Sequence, residues 1–202
     1  MAVEITRKGM LLIISGPSGT GKGTLIAKLL KSDPSFRFSC SVTTREPRDG
    51  ERPGIDYEFV SMEEFQRLVD EDAFLEHATV HGNRYGTLKK TVDDFIEKGY
   101  NTLLDIDPQG ALNVMERASE YVSVFILPPS FNDLRVRLHT RNTDKEVEIE
   151  RRLKNARKEV LTVNRYQYAI INEDLELAFM HLTHIVNAEK QRTVRFHPVI
   201  TQ

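Results

Sequence analysis

Apolar residues occur in this chain as short unbroken runs, each followed by a longer stretch with helical spacing. Residues 10–14 (Met-Leu-Leu-Ile-Ile) form the first run, which stops at Ser15 and gives way to Gly16-Pro17-Ser18-Gly19-Thr20-Gly21. Beyond it Leu25, Ile26, Leu29 and Leu30 recur three and four residues apart, as one face of a helix requires. The pattern is strand, glycine loop, helix. Residues 102–106 form a second run, ending in Asp107-Pro108-Gln109-Gly110. A third, residues 121–127, stops at Pro128-Pro129 before Ser130, a good N-cap, and a helix with Phe131, Leu134 and Leu138 inward. The fourth, residues 168–171, precedes a helix carrying Leu175, Leu177, Ala178, Leu182 and Ile185. Short apolar strands alternating with amphipathic helices predict an α/β fold: a mostly parallel sheet covered by helices on both faces. Ligands of such sheets sit at the carboxyl ends of the strands.

Two stretches break the alternation. Residues 38–95 are rich in polar, β-branched and turn residues, with a short helix opened by the capping box Ser61-Met62-Glu63-Glu64. Residues 139–158 are almost wholly charged, and Thr143-Asp144-Lys145-Glu146 reads as another capping box. Both could be plain surface excursions. Their density of arginine beside a glycine loop favours a functional reading.

Composition narrows the field. The 202 residues suffice for one core with insertions, and 40% hydrophobic with 29% charged residues is a globular balance. A net charge of −2 offers no general attraction to nucleic acid or anionic membranes, so any phosphate must be met by locally placed cations. One cysteine, Cys40, excludes an internal disulfide and fits a reducing compartment. No apolar stretch is long enough to span a bilayer, and the first ten residues lack a secretory-type segment. The expected location is cytoplasmic.

Gly16-x4-Gly21-Lys22 matches the first part of a P-loop. Its glycines let backbone N–H groups turn inward around phosphate oxygens, and the helix N-terminus adds partial positive charge. Lys22 would bridge the β- and γ-phosphates of ATP. The hydroxyl residue usual after the lysine is replaced by Gly23, with Thr24 one place later. Mg²⁺ would therefore keep more of its waters. Asp105 is either the carboxylate that holds those waters or a helix-capping acid.

Several segments together resemble the guanylate kinases. They are residues 15–22, Ser41-Val42-Thr43-Thr44-Arg45-Glu46-Pro47-Arg48, Asp56-Tyr57, Phe74-Leu75-Glu76, Gly82-Asn83-Arg84-Tyr85-Gly86-Thr87, Leu104-Asp105-Ile106-Asp107 and Ile171-Asn172. The resemblance spans about residues 9–187 and implies a P-loop nucleoside monophosphate kinase that phosphorylates GMP, and dGMP, from ATP with Mg²⁺. It implies one unit: a core of about residues 9–37, 96–138 and 159–202, a GMP-binding region of about 38–95, and a short helical lid of about 139–158. No nucleic-acid or membrane partner is implied.

The resemblance also assigns residues. Residues 16–24 would cradle ATP, and Asn172 would contact adenine unless it is simply a turn asparagine. For GMP, Arg45 and Arg48 would supply planar forks to the phosphate, joined by the phenols of Tyr57 and Tyr85. Glu76 would accept from guanine N1–H and N2, Ser41 would donate to O6, and Asp107 and Thr87 would complete the site. Arg137, Arg141 and Arg152 would reach the phosphates when the lid closes.

Some positions depart from the family pattern. Arg84 stands where tyrosine is frequent, Pro108 where a bulkier residue is frequent, and Thr140 and Asn142 where glycines are usual, which suggests a stiffer lid. His181 and His184 share a helix face but read as a surface pair, and His77 has no evident role. A kinase acting on a phosphorylated ribose would have no use for Ser41, Glu76 and Asp107. A non-catalytic scaffold of the same family would have no use for an intact loop with Lys22.

Overall fold

The computed structural model describes residues 2–55, 57–80, 82–140 and 146–201. In chain order the elements are β1 (Ala2–Arg7), β2 (Leu11–Ser15), α1 (Lys22–Ser32), β3 (Phe36–Phe38), β4 (Ser41–Thr43), β5 (Tyr57–Phe59), α2 (Met62–Asp70), β6 (Phe74–Val80) and β7 (Asn83–Leu88). They continue with α3 (Lys89–Glu97), β8 (Asn101–Asp105), α4 (Pro108–Arg117), β9 (Val122–Leu127), α5 (Phe131–Thr140), α6 (Glu146–Val160), β10 (Tyr168–Ile171), α7 (Leu175–Lys190) and β11 (Phe196–Thr201).

The central sheet is parallel throughout, in the order β10-β9-β2-β8-β3. Strand periodicity divides its side chains between two layers. Met10, Leu12 and Ile14 pack with Leu25, Ile26 and Leu29 of α1 and with Ala178, Leu182 and Val186 of α7. Leu11 and Ile13 face the other way, onto Val92 of α3, Ala111 and Val114 of α4, and Phe125. The chain runs from β2 out to β3, back to β8, and then across to β9 on the other side of β2. That reversal opens a crevice at the carboxyl ends of β2 and β8.

A second sheet, β5-β4-β7-β6, is mixed and carries its own core of Val42, Phe65 and Phe74. Ser61 caps α2 by accepting from Glu64 N at 3.1 Å, but only half of the expected box forms, because the Glu64 carboxylate turns to Arg67. Arg117 at the end of α4 donates to Phe74 O at 3.1 Å and ties this sheet to the central one. The second sheet ends at Leu88, and α3 already packs on the core, several residues before the boundary expected near 95.

Ser130 caps α5 as expected, accepting from Asp133 N at 3.0 Å. Leu134 and Leu138 are fully buried and pack on Ile149, Leu153 and Ala156 of α6. Two sequence expectations change. Leu177 is 49% exposed, and α7 buries Val186 instead. The termini, not expected to be strands, pair as the antiparallel ribbon β1–β11. Arg141, Asn142 and the Thr143-Asp144-Lys145 part of the second capping box lie outside the described residues, as does Asp56.

Phe65 and Phe74 stack with ring centroids 4.6 Å apart and are almost fully buried. Phe65→Ala should therefore lower unfolding stability by about 3–5 kcal/mol, the usual cost of deleting a buried aromatic ring. Urea titration measures it, and a loss below about 1 kcal/mol would mean that this small core adds little to the fold.

Candidate active site

Three adjoining cavities follow the crevice. The first, about 260 Å³, is lined by Ser41, Tyr57, Glu76, Ala78, Tyr85, Asp105, Ile106, Asp107 and Gly110. The second, about 430 Å³, lies over the glycine loop and shares Asp105, Ile106 and Asp107 with the first. The third, about 400 Å³, shares Gly19 and Gly21 with the second and adds Thr24, Arg137, Thr140, Asn172, Glu173 and Leu175. Residues from both insertions and the core thus line three cavities with shared walls.

The loop explains its own sequence. Gly16 has φ +136, and a Cβ there would stand 2.3 Å from Ile126 O. Gly21, the N-cap of α1, has φ +90 and no side-chain cap, so the first-turn N–H groups of the helix are left for a ligand. Thr20 is fully buried, its hydroxyl donating to Pro17 O at 2.9 Å, so only its backbone is available to a ligand. A Cβ at Gly23 would meet nothing within 4 Å, so sterics do not exclude a hydroxyl residue there. Lys22 Nζ donates to Gly16 O at 2.6 Å and Pro17 O at 3.1 Å, folded back along the loop it would serve.

Asn172 is 5% exposed and donates from Nδ2 to Thr20 O at 2.7 Å, while its backbone O accepts from Arg137 at 2.8 Å. It borders the third cavity and at the same time clamps the loop from below. Arg152, on α6, reaches Ser18 Oγ at 3.4 Å. Arg137 and Arg152 are thus brought to the groove; Arg141 is outside the described residues.

Glu76 is 7% exposed on β6 and accepts from Thr87 Oγ1 at 2.9 Å. Thr87 is fully buried and does not line the cavity; its hydroxyl orients Glu76. Burial lifts the Glu76 carboxyl to about 7, Thr87 opposing and the charge of Asp107 adding. Asp107 accepts from Gly110 N at 2.8 Å, so the N-cap of α4 is Asp107, with Pro108 pre-set at the first helical position. Asp105 is left aimed into the second cavity; desolvation pushes its carboxyl up, and Lys22 pulls it down. Tyr57 and Tyr85 meet edge to face at 6.0 Å in the first cavity. Ser41, Tyr57, Glu76, Tyr85 and Asp107 are therefore together. Arg45 and Arg48 are not among the residues lining that cavity.

Glu159, in the last turn of α6, was missed by sequence reasoning. It lines the second cavity beside Lys22 and Asp105, and burial raises its carboxyl, Lys22 opposing. It stands two helical turns from Arg152, on the same face of a helix, and that spacing was the available signal.

The donor chemistry suits Mg²⁺. Asp105, Asp107 and Glu159 line the second cavity with Lys22 as the one cation among its lining residues, so a polyphosphate entering it would need further positive charge. Among the described residues no three His, Cys, Asp or Glu side chains converge as a metal cage. Such an ion would be held by phosphate and by waters, which Asp105 is placed to accept from.

A family model for guanylate kinase matches residues 8–189. The chain belongs to the guanylate kinase family. It is 46% identical over 193 residues to the guanylate kinase of Caldanaerobacter subterraneus subsp. tengcongensis, covering 96% of this chain and 94% of that one. It is 46% identical to that of Rhizobium etli, covering 96% and 89%. The crystal structure of guanylate kinase from Anaplasma phagocytophilum superposes with TM-score 0.76 at 39% identity, covering 96% and 93%. Membership of the guanylate kinases makes the chain a nucleoside monophosphate kinase, an ATP:GMP phosphotransferase. Among the described residues no helix is long and apolar enough to cross a membrane.

Because the Glu76 carboxyl titrates higher in the folded chain than its ordinary 4.5, the folded state holds that proton more tightly. Its stabilising contribution is full below about 4.5 and is lost as pH rises through about 7. Glu76→Gln should then be more stable than the parent at pH 8, by roughly 3 kcal/mol, and nearly equal at pH 4. Urea titrations at both pH values measure this; a larger gain at pH 4 would contradict the buried carboxyl.

Proposed function

We propose that GMP binds in the first cavity and the ATP phosphates in the second, with direct in-line transfer between them where the two share Asp105, Ile106 and Asp107. The supporting observation is that shared wall: a base-sized pocket lined by the buried Glu76 has Asp105, Ile106 and Asp107 in common with the cavity over the glycine loop and Lys22. The third cavity takes adenine, with Asn172 and Thr24 at its edge. In this reading residues 38–95 form the GMP-binding region and residues 139–158 the lid, and dGMP is accepted alongside GMP.

Glu76 accepts from guanine N1–H and the exocyclic amine, and Ser41 donates to O6. Adenine presents an acceptor at N1 and would leave a buried acceptor facing the carboxylate, a strong source of discrimination. Arg45, Arg48, Tyr57 and Tyr85 neutralise and orient the GMP phosphate. Lys22 moves from the loop carbonyls to the transferring phosphoryl group. Backbone N–H groups of residues 16–24 hold the β-phosphate. Arg137, Arg141 and Arg152 close over the reacting oxygens and exclude water that would otherwise accept the phosphoryl group. Asp105 would hold Mg²⁺ through water, and the ion would supply neutralisation of phosphate charge. The setting is purine nucleotide metabolism in the cytoplasm.

An ADP-release assay comparing GMP, dGMP, AMP and UMP tests the substrate assignment. GMP should be fastest, and Glu76→Gln should cut kcat/KM for GMP by about 10- to 150-fold, the worth of a hydrogen bond to a charged group. The KM for ATP should move less than about threefold. Equal losses for both substrates would remove Glu76 from guanine recognition. Lys22→Ala should lower kcat by at least about 100-fold with an unchanged unfolding midpoint, because its charge is directed at the transition state. Retention of a tenth of the activity would overturn that role.

A further inference from the structure

Glu51 lies in the loop after β4 and has no role in the reading above. Its two oxygens engage both of the arginines assigned to the GMP phosphate. Arg45 Nη1 donates to Oε2 at 3.0 Å and Arg45 Nη2 to Oε1 at 2.9 Å, an end-on two-pronged pair. Arg48 donates its backbone N–H to the same Oε2 at 2.7 Å. Arg45 Nη1 also donates to Glu46 O at 2.7 Å, and the guanidinium lies 5.3 Å from the Tyr57 ring centroid and 5.8 Å from that of Phe59.

A guanidinium has five N–H donors in a fixed plane, and these bonds commit three of them. End-on engagement of Nη1 and Nη2 leaves the Nε–Nη2 edge as the remaining donor pair, with the Tyr85 hydroxyl, assigned to the same phosphate, within reach of the guanidinium. Tyr85, which lines the base pocket, stands beside the same guanidinium and, after Glu51, helps to keep it charged. The Arg45 and Glu51 side chains are both largely shielded, unlike the ordinary exposed ion pairs of this surface.

We infer that Glu51 is the positioning residue of the GMP-phosphate site. Its carboxylate fixes the plane of Arg45 and the loop carrying Arg48, so that both meet the phosphate already ordered. The inference rests on the assignment of Arg45 and Arg48 to that phosphate. Preorganisation of this kind acts on affinity for the group recognised and leaves the rest of the ligand unaffected.

The test compares Glu51→Gln and Glu51→Asp with the parent and with Arg45→Ala, using KM for GMP, KM for ATP, kcat and the inhibition constant of guanosine. Glutamine offers one acceptor where the fork needs two. Glu51→Gln should raise KM for GMP about tenfold. Guanosine inhibition and KM for ATP should change less than about twofold, and Glu51→Asp should recover part of the loss. A parallel weakening of guanosine, or a lowered melting temperature with loss of both substrates, would mean a purely structural loop contact and overturn the inference. A lower KM for GMP would also overturn it, showing that Glu51 competes with the phosphate. If Arg45→Ala leaves KM for GMP unchanged, the phosphate assignment itself fails; if Arg45→Ala raises KM and Glu51→Gln does not, only the positioning role fails.

Discussion

Phosphoryl transfer between nucleotides brings two anions nearly into contact, and like-charge repulsion is the constraint on which the rest of this structure turns. At 4 Å, two unit charges near a protein surface repel by about 4 kcal/mol. The groove adds carboxylates of its own: Asp105, Asp107 and Glu159 border the cavity that holds Lys22. Cations must therefore converge on the junction from several directions. The sheet order supplies the convergence, because the crevice beside β2 is where the glycine loop, the end of β8 and the second sheet meet. In the structure these cations have neutral or acidic partners: Lys22 the loop carbonyls, Arg137 Asn172 O, Arg45 Glu51. On the proposed reading, Lys22 is exchanged from those carbonyls to phosphate as substrates arrive, while Arg45 stays braced.

Much of this was legible in the chain. The runs at residues 10–14, 102–106, 121–127 and 168–171 are β2, β8, β9 and β10 within about one residue, because the central strands β2, β8 and β9 are buried on both faces and so are mostly apolar. The first-cavity residues were legible only through their motif, since Ser41, Glu76 and Asp107 lie on separate elements that the second sheet brings together. The β1–β11 ribbon was not legible: β1 (Ala-Val-Glu-Ile-Thr-Arg) holds no unbroken apolar run, and β11 carries Pro198, which argues against a strand interior. Leu177 fell on a plausible apolar face of α7, but the helix rolls so that Val186 takes the buried place. The partners of Arg45 could not be read either, because a charged residue six positions away signals an ion pair no more than a solvated loop does.

The departures from the family pattern have local reasons. Arg84 lays its guanidinium 5.1 Å from the Phe65 ring centroid and donates to Gln66 at 2.8 Å, so its stem roofs the small core of the second sheet. Pro108 begins α4 where proline is favoured. Thr140 sits in the last turn of α5 and bonds back to Val136 O at 2.9 Å, so helix continues where glycines would have ended it. That carries regular helix into the start of residues 139–158, the proposed lid.

The clamp under the glycine loop carries a consequence for variation rather than for catalysis. A Cβ at Gly21 would stand 2.3 Å from Asn172 Nδ2, and that same nitrogen holds Thr20 O across 152 positions of chain. Neither residue can drift alone. A side chain at 21 would need a smaller neighbour at 172 and would still be strained at φ +90, and a smaller neighbour at 172 releases the carbonyl of Thr20. Any change at position 172 is thus a change to the loop's backbone, and it has to be weighed together with position 21.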